Sequence, residues 1–208
     1  MGIPIHQLII NRKYMLGIIL CGGQSSRMGS DKGLLVNEAK TWAQTAYDKL
    51  ATLNIPIKIS VNEKQFADYA KVFAAESLIS DDTAVDIRGP LLGVLSAHIQ
   101  NPADDLFLLA CDMPLMEPEL LKELYNYSRQ NEGSEAYIFT NENEPEPLCG
   151  IYTAKGLLKI AALQKENKLV KHSMKFVLSQ LAVYSIALND KQKKYFRNFN
   201  AHAELNGL

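Results

Sequence analysis

LGIILCGGQSSRMGSDK, residues 16–32, decides how the rest of the chain is read. Leu16–Cys21 is a short apolar run closed by Gly22-Gly23, the pattern of a strand buried on both faces. Paired glycines after such a strand let backbone N–H groups approach an anion with no Cβ in the way, forming a phosphate-binding concavity. Arg27 and Lys32 follow in the same loop, a planar fork and a point charge within reach of a triphosphate. The spacing GGxxxRMGxDK is neither the dinucleotide fingerprint GxGxxG nor the P-loop GxxxxGK[ST]. A strand that ends in such a loop belongs to an open parallel sheet, where ligands bind beyond the carboxyl ends of the strands.

Working outward, short apolar runs alternate with helical patterns, the signature of βαβ units around a mostly parallel sheet. Thr41–Leu53 reads as a helix, with Trp42, Ala43, Ala46, Tyr47, Leu50 and Leu53 on one face. Ile57–Val61 is a strand and Glu63–Phe73 a helix; Leu78–Ile79 is a brief strand before the polar turn DDTAVDIR. Pro90 fits the first turn of a helix reaching Ile99. Asp105–Ala110 is the strongest central strand, and Glu117–Arg129 a helix. Beyond these come strand Ala136–Thr140, an acidic loop NENEPEP, and strand Leu148–Tyr152. Helices over Gly156–Lys165 and Val170–Gln180 precede a closing strand, Ala182–Ile186. The whole is one α/β domain, residues 1–208, with residues 1–14 a dispensable N-terminal arm.

The strand Asp105–Ala110 runs into Cys111-Asp112-Met113-Pro114. A carboxylate at the end of a buried strand, held by a rigid proline turn, suits a hard cation such as Mg2+, which takes one or two protein carboxylates and completes its shell with phosphates and water. The alternative is that Asp112 only caps the next turn.

Bulk properties narrow the function classes. The chain has 208 residues, 47% of them apolar, with 22 basic and 23 acidic side chains and a net charge of −1. That balance argues against a nucleic-acid surface, which needs a basic excess to displace counterions, while leaving room for one nucleotide. The apolar runs are far shorter than a membrane span, and the first fourteen residues make a poor signal peptide. Three widely spaced cysteines form neither a disulfide framework nor a zinc pattern, pointing to a reduced, cytoplasmic protein. They read as packing thiols or as a cluster around one pocket. None of the four histidines has ligand spacing.

In order and spacing, LCGGQSSRMGSDKGLL, GPLLGV and LLACDMPLM resemble the molybdenum cofactor guanylyltransferases, a branch of the nucleotidyltransferases with a Rossmann-like fold. PEPLCGIY and FRNFNAHAEL are weaker matches, and the likeness runs from about Leu16 to the end. It implies a three-layer, Rossmann-like nucleotidyltransferase fold and transfer of GMP from GTP to the terminal phosphate of molybdopterin, with release of pyrophosphate. Cytidylyl transfer to molybdopterin, or nucleotidyl transfer to a sugar or polyol phosphate, is the alternative. By the resemblance, Leu20, Cys21, Gly22 and Gly23 line the nucleotide and Lys32 holds its phosphates. Asn62 and Asp82 contact the nucleoside, Gly89 lies against the base, and Asp112 binds magnesium. Asn198 and Asn200 face the acceptor or complete the metal site. Arg27, Lys32 and Asp112 are then the catalytic set. The same resemblance implies transient contact with other molybdenum cofactor proteins.

Two departures stand out. Cys21 replaces the family's usual alanine beside the ligand, and Ala201-His202 replaces its threonine and proline after Asn200, which also reads as an N-cap for residues 201–205. The cluster Lys191, Lys193, Lys194 and Arg197 is either a solvated charged turn or a patch that steers the anionic pterin.

Overall fold

The computed structural model describes residues 14–22, 31–37, 39–84 and 86–199. Strand β1, Met15–Leu20, is buried along its whole length and forms the spine of a seven-stranded sheet. It pairs in parallel with β4 (Ile57–Val61) on one side and with β6 (Asp105–Ala110) on the other. A short ribbon of β2 (Val36–Asn37) and β3 (Lys40–Thr41) precedes β4 in the chain and stands apart from this sheet. Beyond β4 lies β5 (Leu78–Ser80), also parallel. Past β6, the long strand β8 (Glu144–Tyr152) runs antiparallel to both β6 and β7 (Ala136–Asn141). Strand β9 (Val183–Ala187) pairs in parallel with β7, so the order is β5-β4-β1-β6-β8-β7-β9.

Alternation along the strands makes the three expected layers, because neighbouring side chains point to opposite faces. Ile19, Phe107 and Leu109 join Leu50 of α1 (Trp42–Ala51), Tyr69 of α2 (Glu63–Tyr69) and Leu121 and Leu124 of α4 (Pro118–Gln130) in one apolar cluster. Ile18, Leu20 and Leu108 join Leu91 and Val94 of α3 (Pro90–Gln100), Ile160 of α5 (Ala154–Lys165) and Val177 of α6 (Met174–Ser179) in the other. Helix starts follow local chemistry. Thr41 and Gln44 form a reciprocal capping box on α1, as do Asn62 and Gln65 on α2. Pro90 and Pro118 occupy first turns, where a missing N–H costs nothing.

Several boundaries differ from the sequence reading. Helix α2 ends at Tyr69 rather than Phe73, where the Lys71 and Val72 N–H groups bond only three residues back, to the Asp68 and Tyr69 carbonyls (3.2 and 3.0 Å). Helix α6 starts at Met174 rather than Val170, since the Ser173 hydroxyl accepts from the Phe176 N–H and sets the start. The acidic stretch is mostly strand. Glu142 and Asn143, at φ 52° and 69°, close a two-residue hairpin, and Glu144–Pro147 extend β8 along β7 alone. There Pro147 lies beyond the stretch bonded to β6, which a residue without an N–H tolerates. Helix α7 (Asp190–Lys193) occupies the lysine-rich turn. Residues 1–13 of the expected arm 1–14, and the helix read over 201–205, lie outside the described residues.

Candidate active site

Because β1, β4, β5 and β6 are parallel, the residues that follow each of them arrive at one edge of the sheet. Leu20, Cys21 and Gly22 come from β1, Asn62 from β4, Asp81 and Asp82 from β5, and Cys111 and Asp112 from β6. The N–H groups of Cys21 and Gly22 both donate to the Ser60 carbonyl (3.0 and 3.1 Å). They are therefore spent on the sheet. Gly23 and Arg27 fall outside the described residues, as does Asn200.

Gly22 faces a carboxylate. A Cβ built on it would lie 3.6 Å from Asp81 Oδ2, so the two residues confront each other across a narrow gap. Asp81 Oδ1 is buried with no hydrogen-bond partner, and so is the Ser60 hydroxyl behind it. Burial pushes the Asp81 carboxyl up to about 6. Gly93, in GPLLG, keeps this corner open, because a Cβ there would come within 2.3 Å of Ser60 Oγ. Asp82, the residue expected from the resemblance to meet the nucleoside, follows directly. Its carboxylate accepts from the Ala84 N–H (3.0 Å), and its own N–H donates to Ser96 Oγ (2.8 Å), so it shapes the turn. Gly89 supplies φ +72° immediately before Pro90, a conformation that suits glycine. Asn62 accepts from the Gln65 N–H (3.1 Å) as the cap of α2, at the mouth of the same edge.

Lys32 and Asp112 meet, although eighty residues apart in sequence: Lys32 Nζ lies 3.4 Å from Asp112 Oδ2, both side chains about a quarter exposed. Burial raises the Asp112 carboxyl, and the Lys32 ammonium opposes that shift. Lys49 of α1 donates to the Pro114 carbonyl and steadies the turn after Asp112. From the far end of the chain, the Phe199 N–H donates to the Asp112 carbonyl (2.9 Å), which places the exposed Asn198 beside the same loop. Among the described residues no group of three or more His, Cys, Asp or Glu side chains converges. One largely buried carboxylate, paired with an ammonium at this edge, fits a cation that takes the rest of its shell from phosphates and water.

Sequence reasoning passed over the residues that hold these parts together. Asp31 N-caps the single 3-10 turn Lys32–Leu34 through the Gly33 N–H (2.9 Å). It also accepts from Tyr69 Oη (2.9 Å) and Gln65 Nε2 (2.5 Å), both on α2. The NEKQ phrase, a capping-box signature, was the signal that could have drawn attention to α2. The three cysteines are all buried in one apolar cluster. Away from this edge centre, Lys193, Lys194 and Arg197 line an open cleft of about 550 Å³ with Asn141, Glu142, Glu144 and Glu146. Lys193 is paired there with Glu142 and Asp190, each at 2.9 Å.

Residues 17–183 match the family model described as the MobA-like NTP transferase domain. A probable molybdenum cofactor guanylyltransferase of Geobacillus sp. is 32% identical over 199 residues, covering 93% of this chain and 97% of the relative. One of the same description from Flavobacterium johnsoniae is 30% identical over 190 residues, covering 91% and 94%. Among solved structures, molybdopterin-guanine dinucleotide biosynthesis protein A of Archaeoglobus fulgidus superposes with a TM-score of 0.73 at 21% identity, over 93% of this chain and 95% of that one.

Proposed function

The chain belongs to the MobA-like NTP transferase family, and within it to the molybdenum cofactor guanylyltransferases, and from that premise we propose that it transfers GMP from GTP to the terminal phosphate of molybdopterin, releasing pyrophosphate. The observation that carries this reading is the meeting of Lys32 and Asp112 at the carboxyl edge, beside Gly22 and the unpartnered Asp81.

The nucleoside lies over Leu20–Gly22, with Asn62 and the β5–α3 connection around it. Asp81, whose Oδ2 faces Gly22, offers a carboxylate acceptor to the guanine edge, with its adjacent N1–H and exocyclic amine donors, a pair that cytosine lacks. Arg27 and Lys32 bind the triphosphate and offset the charge that develops on the departing pyrophosphate. Asp112 would hold Mg2+, with Asn198 beside its loop toward the acceptor, and the resemblance gives Asn200 the same role. When bound, the metal neutralises phosphate charge and draws the phosphates into position. Attack is in line, and the acceptor is already an anion at neutral pH, so no side chain has to remove a proton. Rate enhancement then comes from placement and electrostatics. The one domain acts in the cytoplasm, where its three free, buried thiols stay reduced, and it exchanges molybdopterin with other molybdenum cofactor proteins through transient contacts.

Four nucleoside triphosphates tested against molybdopterin and sugar phosphates, with pyrophosphate release as the readout, check the proposal. Turnover is expected only with GTP, Mg2+ and molybdopterin together. Faster turnover with CTP would make it a cytidylyltransferase. Turnover with a sugar phosphate and no pterin would overturn the acceptor.

A further inference from the structure

We propose that Gln65 is a positioning residue for the nucleotide site, fixing Cys21 and Asp31 at the separation that sets Lys32 opposite Asp112. The inference rests on the nucleotide-binding reading above and adds to it a part that does not touch the ligand. The Gln65 side-chain amide donates both its N–H groups, one to the Cys21 carbonyl (3.1 Å) and one to Asp31 Oδ2 (2.5 Å). Cys21 and Asp31 flank the glycine-rich segment, so one amide ties the residue entering it to the residue leaving it. The other end of the amide is equally committed, because Gln65 Oε1 accepts from the Asn62 N–H (2.9 Å) in the capping box of α2. Strand β4, helix α2 and both flanks of the segment are thereby referenced to a single side chain.

Asp31 passes that reference on. Its Oδ1 accepts from the Gly33 N–H and from Tyr69 Oη, both at 2.9 Å. Lys32 is the next residue, and its ammonium reaches Asp112 at 3.4 Å. The fit is close, since a Cβ on Gly33 would fall 2.1 Å from Tyr69 Oη, which leaves the turn little room to slide on α2. A loosened Asp31 therefore shifts the lysine that meets the phosphates, whereas the sheet and its two apolar clusters hold without it.

The donor and acceptor assignment makes a reversal test available. In Gln65→Glu two carboxylates meet, so Mg·GTP affinity by calorimetry at pH 8 is expected to fall at least tenfold. It should recover as the pH is lowered toward 5.5 and the two carboxylates come to share a proton. Adding Asp31→Asn to that variant restores the bond to residue 31 with its direction reversed, because the new amide keeps Oδ1 for Gly33 and Tyr69 and donates from Nδ2, while the Cys21 carbonyl stays without its donor. Affinity at pH 8 should then return in part, to at least about threefold above the single variant, a coupling that two independent structural losses cannot produce. KM for GTP should rise in the single variant while KM for molybdopterin stays put. Gln65→Met, isosteric but without hydrogen bonds, provides the same comparison if the carboxylate pair prevents folding, and its affinity for GTP should also fall. Unchanged GTP affinity in Gln65→Glu or Gln65→Met, or a double variant as weak as the single, overturns the proposal. An unaltered protein that binds no GTP would instead strike the functional reading.

Discussion

Asp81 and Asp112 are both carboxylates at strand ends, and burial raises both, yet they are placed to do opposite work. Asp112 already has an ammonium beside it, and under the proposed function it acts on the reacting phosphate, so Asp112→Asn is expected to lower turnover by about a thousandfold. GTP affinity should change far less, and parallel pyrophosphate and calorimetric measurements would show whether the two separate. Asp81 is held in reserve. Its carboxyl is raised to about 6 from an ordinary 3.8, so the folded protein keeps this proton longer than the unfolded chain does. Stability from this group is complete below pH 4 and is lost as the pH rises through 6. Asp81→Asn should therefore raise the melting temperature at pH 7.5 by a few degrees, roughly 1 kcal/mol after allowing for its partial exposure. The gain should shrink as the pH falls toward 4.5. The same variant should bind GTP more weakly and discriminate less against CTP, because an amide presents only one acceptor. A melting temperature that drops at pH 7.5 would show that the carboxylate has a partner in the free protein.

At the scale of elements, the site depends on how one 3-10 turn sits against one short helix. Gly33→Ala should lower the melting temperature by several degrees, about 1–3 kcal/mol for overpacking, since the added methyl collides with Tyr69 Oη at 2.1 Å and approaches Cys111 Sγ at 3.3 Å. Tyr69→Phe in that background should recover part of the loss, and no recovery would place the strain elsewhere. Residues 16–21 announced a buried strand because an apolar run is a local signal. The end of β6 before Asp112 was legible for the same reason. The different settings of Asp81 and Asp82 were not, because ISDD offers two adjacent carboxylates, and only the hydrogen bond from the Ala84 N–H to Asp82 tells them apart. Gln65 and Tyr69 read as ordinary positions of an amphipathic helix; their partners lie more than thirty residues away. The β2–β3 ribbon was missed because two-residue strands carry no period. The acidic hairpin looked like a loop because prolines and acids disfavour strands locally, whereas pairing along β7 overrides that preference.

Across the whole molecule, the two apolar layers lock in one buried histidine. His98 of α3 is 3% exposed, its Nδ1 has no partner, and burial lowers its pKa. It folds neutral, so its contribution is intact above pH 6.5 and is lost as acid charges the imidazole in the unfolded chain first. Thermal melts at pH 7.5 and 5.5 should show the unaltered protein losing more than His98→Gln does, and equal losses would exonerate the histidine. The sheet carries a further consequence in its strand directions. The residues at the nucleotide edge come mostly from before residue 113, and β8 is the strand that joins the later part of the sheet to β6, Leu106–Leu109 pairing with Cys149–Tyr152. The backbone pairing along that seam is indifferent to side-chain identity, although the apolar packing on its two faces is not. In terms of descent, one half of this molecule can keep its nucleotide unchanged for as long as the other half drifts between acceptors, and a new enzyme can arise from the old one without relearning how to hold a triphosphate.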